Sequence, residues 1–180
     1  MSLNIPAVKM VYLVGVDAAL DFATSLGYTS FSNHANFGLS LVLGGGEVRL
    51  IDNVNAYATL ANEGKKFDQV SVLRVEDANG NILEEWKPKD GKQVVEQNTA
   101  KMITNVLSDN VARTPIFGPA STLHLADRPV AAKSGTTNNF HDAWLMGYSP
   151  SLVSGVWVGN NNNAAMKNKA DGSVVAGPIW

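Results

Sequence analysis

The 180 residues contain no cysteine, so this chain has neither a disulfide framework nor a thiolate metal site. No apolar run approaches the ~20 residues of a membrane span, and no signal-peptide pattern precedes the first predicted helix. A basic excess is also missing. The formal charge is −2, which argues against a nucleic-acid partner. There are no internal repeats. The three histidines, His34, His124 and His141, share no ligand spacing, so neither a metal nor a cofactor is expected. What remains is a 45% apolar composition, which fits one globular domain, or a piece of one, able to bury a sizeable core.

One stretch stands out, Val130-Ala131-Ala132-Lys133-Ser134-Gly135-Thr136-Thr137, read as an extended segment over 130–136. Side chains alternate along a strand, so Ser134 and Thr136 share one face while Lys133 points to the other. Two hydroxyls on one face can grip a single carboxylate, and Gly135 between them leaves the backbone open to close approach. After Thr137 come two apolar runs, Ala143 to Tyr148 and Leu152 to Gly159, separated only by Ser149-Pro150-Ser151. They are expected to pair antiparallel, covered on both faces, with Trp144, Met146, Tyr148 and Trp157 as sheet core.

Upstream, the pattern is mainly helical. Asn4 is a plausible cap for a first helix with Pro6 in its first turn, ending near Gly15; Asp17 is a plausible cap for a second, which ends at Gly27. The triple glycine Gly44-Gly45-Gly46 is not followed by Lys-Ser/Thr, so it is no phosphate loop but an entry to a helix predicted over Glu47–Glu63. Asn79-Gly80 between the apolar runs 69–75 and 82–86 predicts a surface hairpin. A further helix starts at Asn98, and a loop from Thr114 to Arg128 leads into the Lys133 strand.

Taken together, Lys133-Ser134-Gly135-Thr136-Thr137, Asp142-Ala143-Trp144, Gly147-Tyr148-Ser149-Pro150 and Gly155-Val156-Trp157-Val158-Gly159 closely resemble penicillin-binding proteins, in particular the transpeptidase domain of the bifunctional class A type. Of the family's motifs Ser-x-x-Lys, Ser-x-Asn and Lys-Thr-Gly, the third is matched at Lys133-Ser134-Gly135 and the second at Ser2-Leu3-Asn4. The run Gly44-Gly45-Gly46-Glu47, leading into Asn55-Ala56-Tyr57-Ala58, resembles the family as well. The resemblance spans nearly the whole chain.

It implies an α+β fold, a partial serine β-lactamase/D,D-transpeptidase-like fold with an antiparallel sheet packed with helices. Residues 1–180 would be the C-terminal part of the domain, without the nucleophile motif, since no serine here has a lysine three residues on. The family's glycosyltransferase domain and N-terminal membrane anchor are likewise expected outside it, as is a helix after Trp180. The implied reaction cross-links peptidoglycan stem peptides through an acyl-serine intermediate on the extracytoplasmic side of a bacterial membrane, and β-lactams are the implied ligands of the full-length enzyme. Ser2 would relay a proton, Lys133 would polarise that relay, and the Thr136 N–H would donate to the oxyanion. Asn4, Ser134, Gly135 and Thr136 would hold the substrate. A non-catalytic binding module of the same fold and a serine β-lactamase relative are the alternatives.

Overall fold

The computed structural model describes residues 2–166 and 170–180. The first half supplies helices α1 (Asn4–Val14), α2 (Val16–Leu26) and α3 (Leu50–Ala61), with a 3-10 turn at Leu39–Leu43 between the last two. Short strands β1 (Lys65–Lys66), β2 (Arg74–Glu76), β3 (Ile82–Glu85) and β4 (Lys92–Gln93) follow, then α4 (Gln97–Ser108) and α5 (Asn110–Phe117). The main sheet comes last, from β5 (Ala131–Thr136), β6 (Asp142–Tyr148) and β7 (Val153–Gly159), closed by a π-helical turn at Gly172–Ala176. This is an α+β arrangement. The three long strands are consecutive antiparallel neighbours in the order β5-β6-β7, as the short connections predict.

Register decides what each face carries. Lys133 lies opposite Met146 and Gly135 opposite Trp144, whereas Ser134 lies opposite Leu145 and Thr136 opposite Ala143. The face of Lys133, Met146 and Tyr148 is covered by α3 and α4, where Tyr57 meets Tyr148 edge-on and the Thr104 and Tyr148 hydroxyls are 2.8 Å apart. On the opposite face, Ala132 and Leu145 pack with Leu123 and Ala176, backed by Val156, Val158 and Trp180. Both faces of the sheet are thus covered, fully along β6 from Leu145 to Tyr148 and partly along β7, which explains the near-continuous apolar runs.

Helix boundaries differ from the sequence reading where local hydrogen bonds outweigh periodicity. Asn4 is the first residue of α1, preceded by Leu3, and does not cap it; α2 begins at Val16, with Asp17 in its first turn. The helix predicted over Glu47–Glu63 is shorter at both ends. Arg49 stays extended before it and Asn62 leaves helical geometry after it. Glu96 caps α4 by accepting from the Asn98 and Thr99 amides, so that helix starts at Gln97. Part of the predicted 114–128 loop is in fact α5. Its N-terminus is capped by Asp109 through the Ala112 amide at 2.8 Å, and it runs through Pro115. The predicted hairpin exists but pairs only over β2 and β3, while the β1–β4 pair lay outside the sequence reading.

Asp52 ties the loop before the 3-10 turn to α3. Its carboxylate, 1% exposed, accepts from Arg49 Nε at 3.0 Å, Arg49 Nη2 at 2.7 Å and Thr29 Oγ1 at 2.8 Å. The Arg49 hydrogen bonds hold its pKa below the ordinary carboxylate value, against the opposing effect of burial. A lowered folded pKa means that this stabilisation is present above the unfolded value and is lost as pH falls through the folded one. Asp52→Ala is expected to cost about 1.5–3 kcal/mol near neutral pH, read by urea denaturation. The difference from the parent chain should shrink in acid; an equal loss at pH 2.5 and pH 7 would refute the assignment.

Candidate active site

A cleft of about 1080 Å³ lies along the outer edge of β5. The start of α1 contributes Ser2 and Asn4, α3 contributes Asn53 and Tyr57, and the end of α5 contributes Ile116 and Phe117. β5 itself contributes Lys133, Ser134, Gly135 and Thr136. All the site residues expected from sequence therefore meet in one place.

Lys133 Nζ donates to Ser2 Oγ and to the Ser134 carbonyl oxygen, joining residues 131 positions apart. Among the described residues it has no carboxylate partner. Burial, and behind it the Arg113 guanidinium, push the Lys133 pKa below the ordinary lysine value. A cation held by a hydroxyl and a carbonyl, with no anion beside it, is suited to meeting an anionic group or moving a proton.

The edge position of β5 matters as much as its side chains. The Thr137 amide donates inward to the Asp142 carbonyl at 3.1 Å, and backbone groups alternate along a strand. The Thr136 N–H and the Ser134 N–H and C=O therefore point outward, into the cleft. Thr136 Oγ1 accepts from the Gly172 amide at 3.0 Å, which leaves its own proton free to donate. Ser134, two residues earlier on the same face, has no hydrogen-bond partner for its hydroxyl among the described residues. Two free hydroxyl protons and an outward N–H beside a lysine make a receptor for a carboxylate or an oxyanion.

Four neighbours have a place at the cleft that the sequence does not give them. Asp142 accepts from Trp157 Nε1 at 2.8 Å and from Thr137 Oγ1 at 2.9 Å, while its own amide donates back to Thr137 Oγ1 at 2.8 Å. This fixes the turn directly after Thr136. Trp144 and Trp157 are half-buried and line the cleft instead of filling the sheet core, because the edge strand leaves their side of the face partly open. Gly172 sits against the backbone of β5 and β6; a Cβ there would lie 2.2 Å from the Trp144 carbonyl oxygen and 2.5 Å from that of Gly135. Its signal was local. Asp171-Gly172-Ser173 is a capping pattern, with the Asp171 carboxylate accepting from the Ser173 and Val174 amides.

Gly172→Ala is therefore expected to push the terminal turn off β5 and to destabilise the chain by about 1–3 kcal/mol. Amide exchange at Gly135 and Thr136 should rise with it. Unchanged stability and protection would mean that the turn does not hold the strand.

Comparison with known proteins gives a consistent result. The family described as penicillin binding protein transpeptidase domain matches residues 8–180. Penicillin-binding protein 2D of Bacillus subtilis is 37% identical over 100% of this chain and 26% of its own length. Penicillin-binding protein 1A of Aquifex aeolicus is 34% identical over 99% of this chain and 23% of its own length. The chain thus spans about a quarter of these relatives. Among solved structures, the PonA1 protein of Mycobacterium tuberculosis in complex with penicillin V superposes with a TM-score of 0.75 at 28% identity, covering 96% of this chain and 50% of that one.

Proposed function

Because the chain belongs to the transpeptidase-domain family of penicillin-binding proteins, we propose that its cleft is the Ser-x-Asn and Lys-Ser-Gly side of a peptidoglycan D,D-transpeptidase active site. In this reading residues 1–180 are the C-terminal portion of the domain, and the reaction cross-links stem peptides on the extracytoplasmic side of the membrane. The single observation that carries it is the contact of Lys133 Nζ with Ser2 Oγ. Nothing local in the sequence forces those two groups together.

Acyl transfer needs a nucleophile, an oxyanion donor, a carboxylate anchor and a route for a proton to the leaving amine. Ser134 and Thr136 anchor the terminal carboxylate, with Gly135 leaving room for the peptide against the strand. The Thr136 N–H donates to the oxyanion as the carbonyl carbon becomes tetrahedral. When the C–N bond breaks, Ser2 Oγ–H protonates the departing amine, and Lys133 stabilises the serine oxygen as it does so. Asn4 projects from the first turn of α1 and holds a substrate backbone amide. The attacking serine is the one role that no residue from 1 to 180 fills, since Ser-x-x-Lys does not occur among them. The same carboxylate anchor suits the carboxylate of a β-lactam, the class of ligand seen in the PonA1 complex.

Two measurements test this. After incubation with a large excess of benzylpenicillin, intact-protein mass spectrometry of the 180-residue chain should show no covalent adduct; a stoichiometric adduct on any serine would overturn the site assignment. N-acetyl-D-Ala-D-Ala should nonetheless bind reversibly with a Kd on the order of millimolar, seen as saturable shifts of the Ser134–Thr136 amides. Ser134→Ala with Thr136→Ala should weaken it about tenfold, the loss of roughly 1.4 kcal/mol. Binding should fall as pH rises, since Lys133 loses its charge at a pH below the ordinary lysine value. Affinity that stays flat until ordinary lysines titrate would remove Lys133 from the site.

A further inference from the structure

Arg113 is 5% exposed, in the middle of α5, and it takes no direct part in the chemistry proposed above. A buried guanidinium ordinarily has a carboxylate partner, because desolvating a lone charge is costly. Among the described residues, Arg113 forms no salt bridge; burial lowers its pKa and the nearby Asp109 charge offsets that only in part. Three main-chain carbonyls hold it instead: Leu107 in the last turn of α4 through Nη2, Leu123 through Nη1 at 3.2 Å, and Asp109 through Nε at 3.4 Å. One side chain thus fastens the end of α4, the start of α5 and the loop that leads into β5.

The Leu123 bond leads to the cleft. Leu123 is 3% exposed and packs in the same core cluster as Ala132, the residue before Lys133. α5 reaches the cleft directly through Ile116 and Phe117. We propose that Arg113 is a positioning residue for the active site, fixing through Leu123 where β5 lies and supplying a positive charge, only partly offset by Asp109, behind Lys133. The field it adds keeps the lysine readier to give up a proton, second only to burial in that effect. The other ionisable groups lining the cleft are Glu47, Tyr57, Asp142 and Asp171, and none forms a salt bridge with Lys133. Burial raises the Tyr57 pKa, so its phenol stays neutral.

The importance of Lys133 rests on the proposed function, but the test needs no ligand. Lysine labelled at 13Cε is titrated by NMR in the 180-residue chain, with Lys133→Arg used to assign the signal. Arg113→Gln removes the charge and keeps an amide to meet a carbonyl. It should raise the Lys133 midpoint, while Arg113→Lys, which keeps the charge, should leave it at the parent value. A folded Arg113→Gln chain with the parent midpoint, or equal shifts in both variants, would overturn the electrostatic part.

Arg113→Lys decides the positional part, and stands alone if Arg113→Gln does not fold. An ammonium cannot span three carbonyls, so amide exchange over 121–132 should rise about tenfold or more. Unchanged protection there would overturn it. If Lys133 were not the cation of the relay, the N-acetyl-D-Ala-D-Ala titration would fail while both of these readouts stood.

Discussion

Six consecutive residue pairs between β5 and β6 hold the site in place. That register puts Lys133 on the face covered by α3 and α4, and Ser134 and Thr136 on the face covered by the terminal turn. A slip of one residue would exchange the two sets. The lysine would then be driven against Leu123 and Ala176, and the hydroxyls against the helices. Both outcomes bury polar groups without partners, so packing on the two faces enforces the register. The Asp142–Thr137–Trp157 bonds fix the turn that begins it.

The charge distribution follows from the same arrangement. Lys133 is kept at the cleft by a hydroxyl and a carbonyl, and Arg113 is buried against carbonyls alone. Among the described residues neither cation forms a salt bridge, although the Asp109 charge partly offsets that of Arg113. Dipoles hold a charge without cancelling it, so the Lys133 ammonium keeps its own charge for a nearby anion even though Glu47, Asp142 and Asp171 also line the cleft. Burial first, and the Arg113 charge after it, make Lys133 easier to deprotonate than a solvated lysine, which suits the proton-relay role proposed for it.

Much of this was legible in the sequence. The β5–β6–β7 meander follows from apolar runs and short connections, and the alternation at Lys133-Ser134-Gly135-Thr136 assigns the two faces. The meeting of Ser2 with Lys133 came from the family resemblance, since no local pattern links residues 131 positions apart. α5 was hidden by Pro115 and by the prolines after it, which read as loop; the Asp109 cap that starts the helix is a single side-chain bond with no periodic signature. Arg113 was invisible for a related reason. Its acceptors are main-chain carbonyls, and every residue type presents one. Trp144 and Trp157 read as core because periodicity reports burial of a strand, not whether its neighbour is the last in the sheet.

That β5 is the last strand has a consequence for how copies of this chain meet one another. An edge with outward N–H and C=O groups, open enough to receive an extended peptide, presents the same groups to the edge of a second molecule. The residues along it set the terms of that encounter. Two β5 strands paired antiparallel in the register centred on Lys133 would place one lysine near the other, and their repulsion opposes that pairing. Gly135 adds no side chain to a cross-strand contact. The features proposed to receive a small carboxylate thus also make the strand a poor partner for itself in that register.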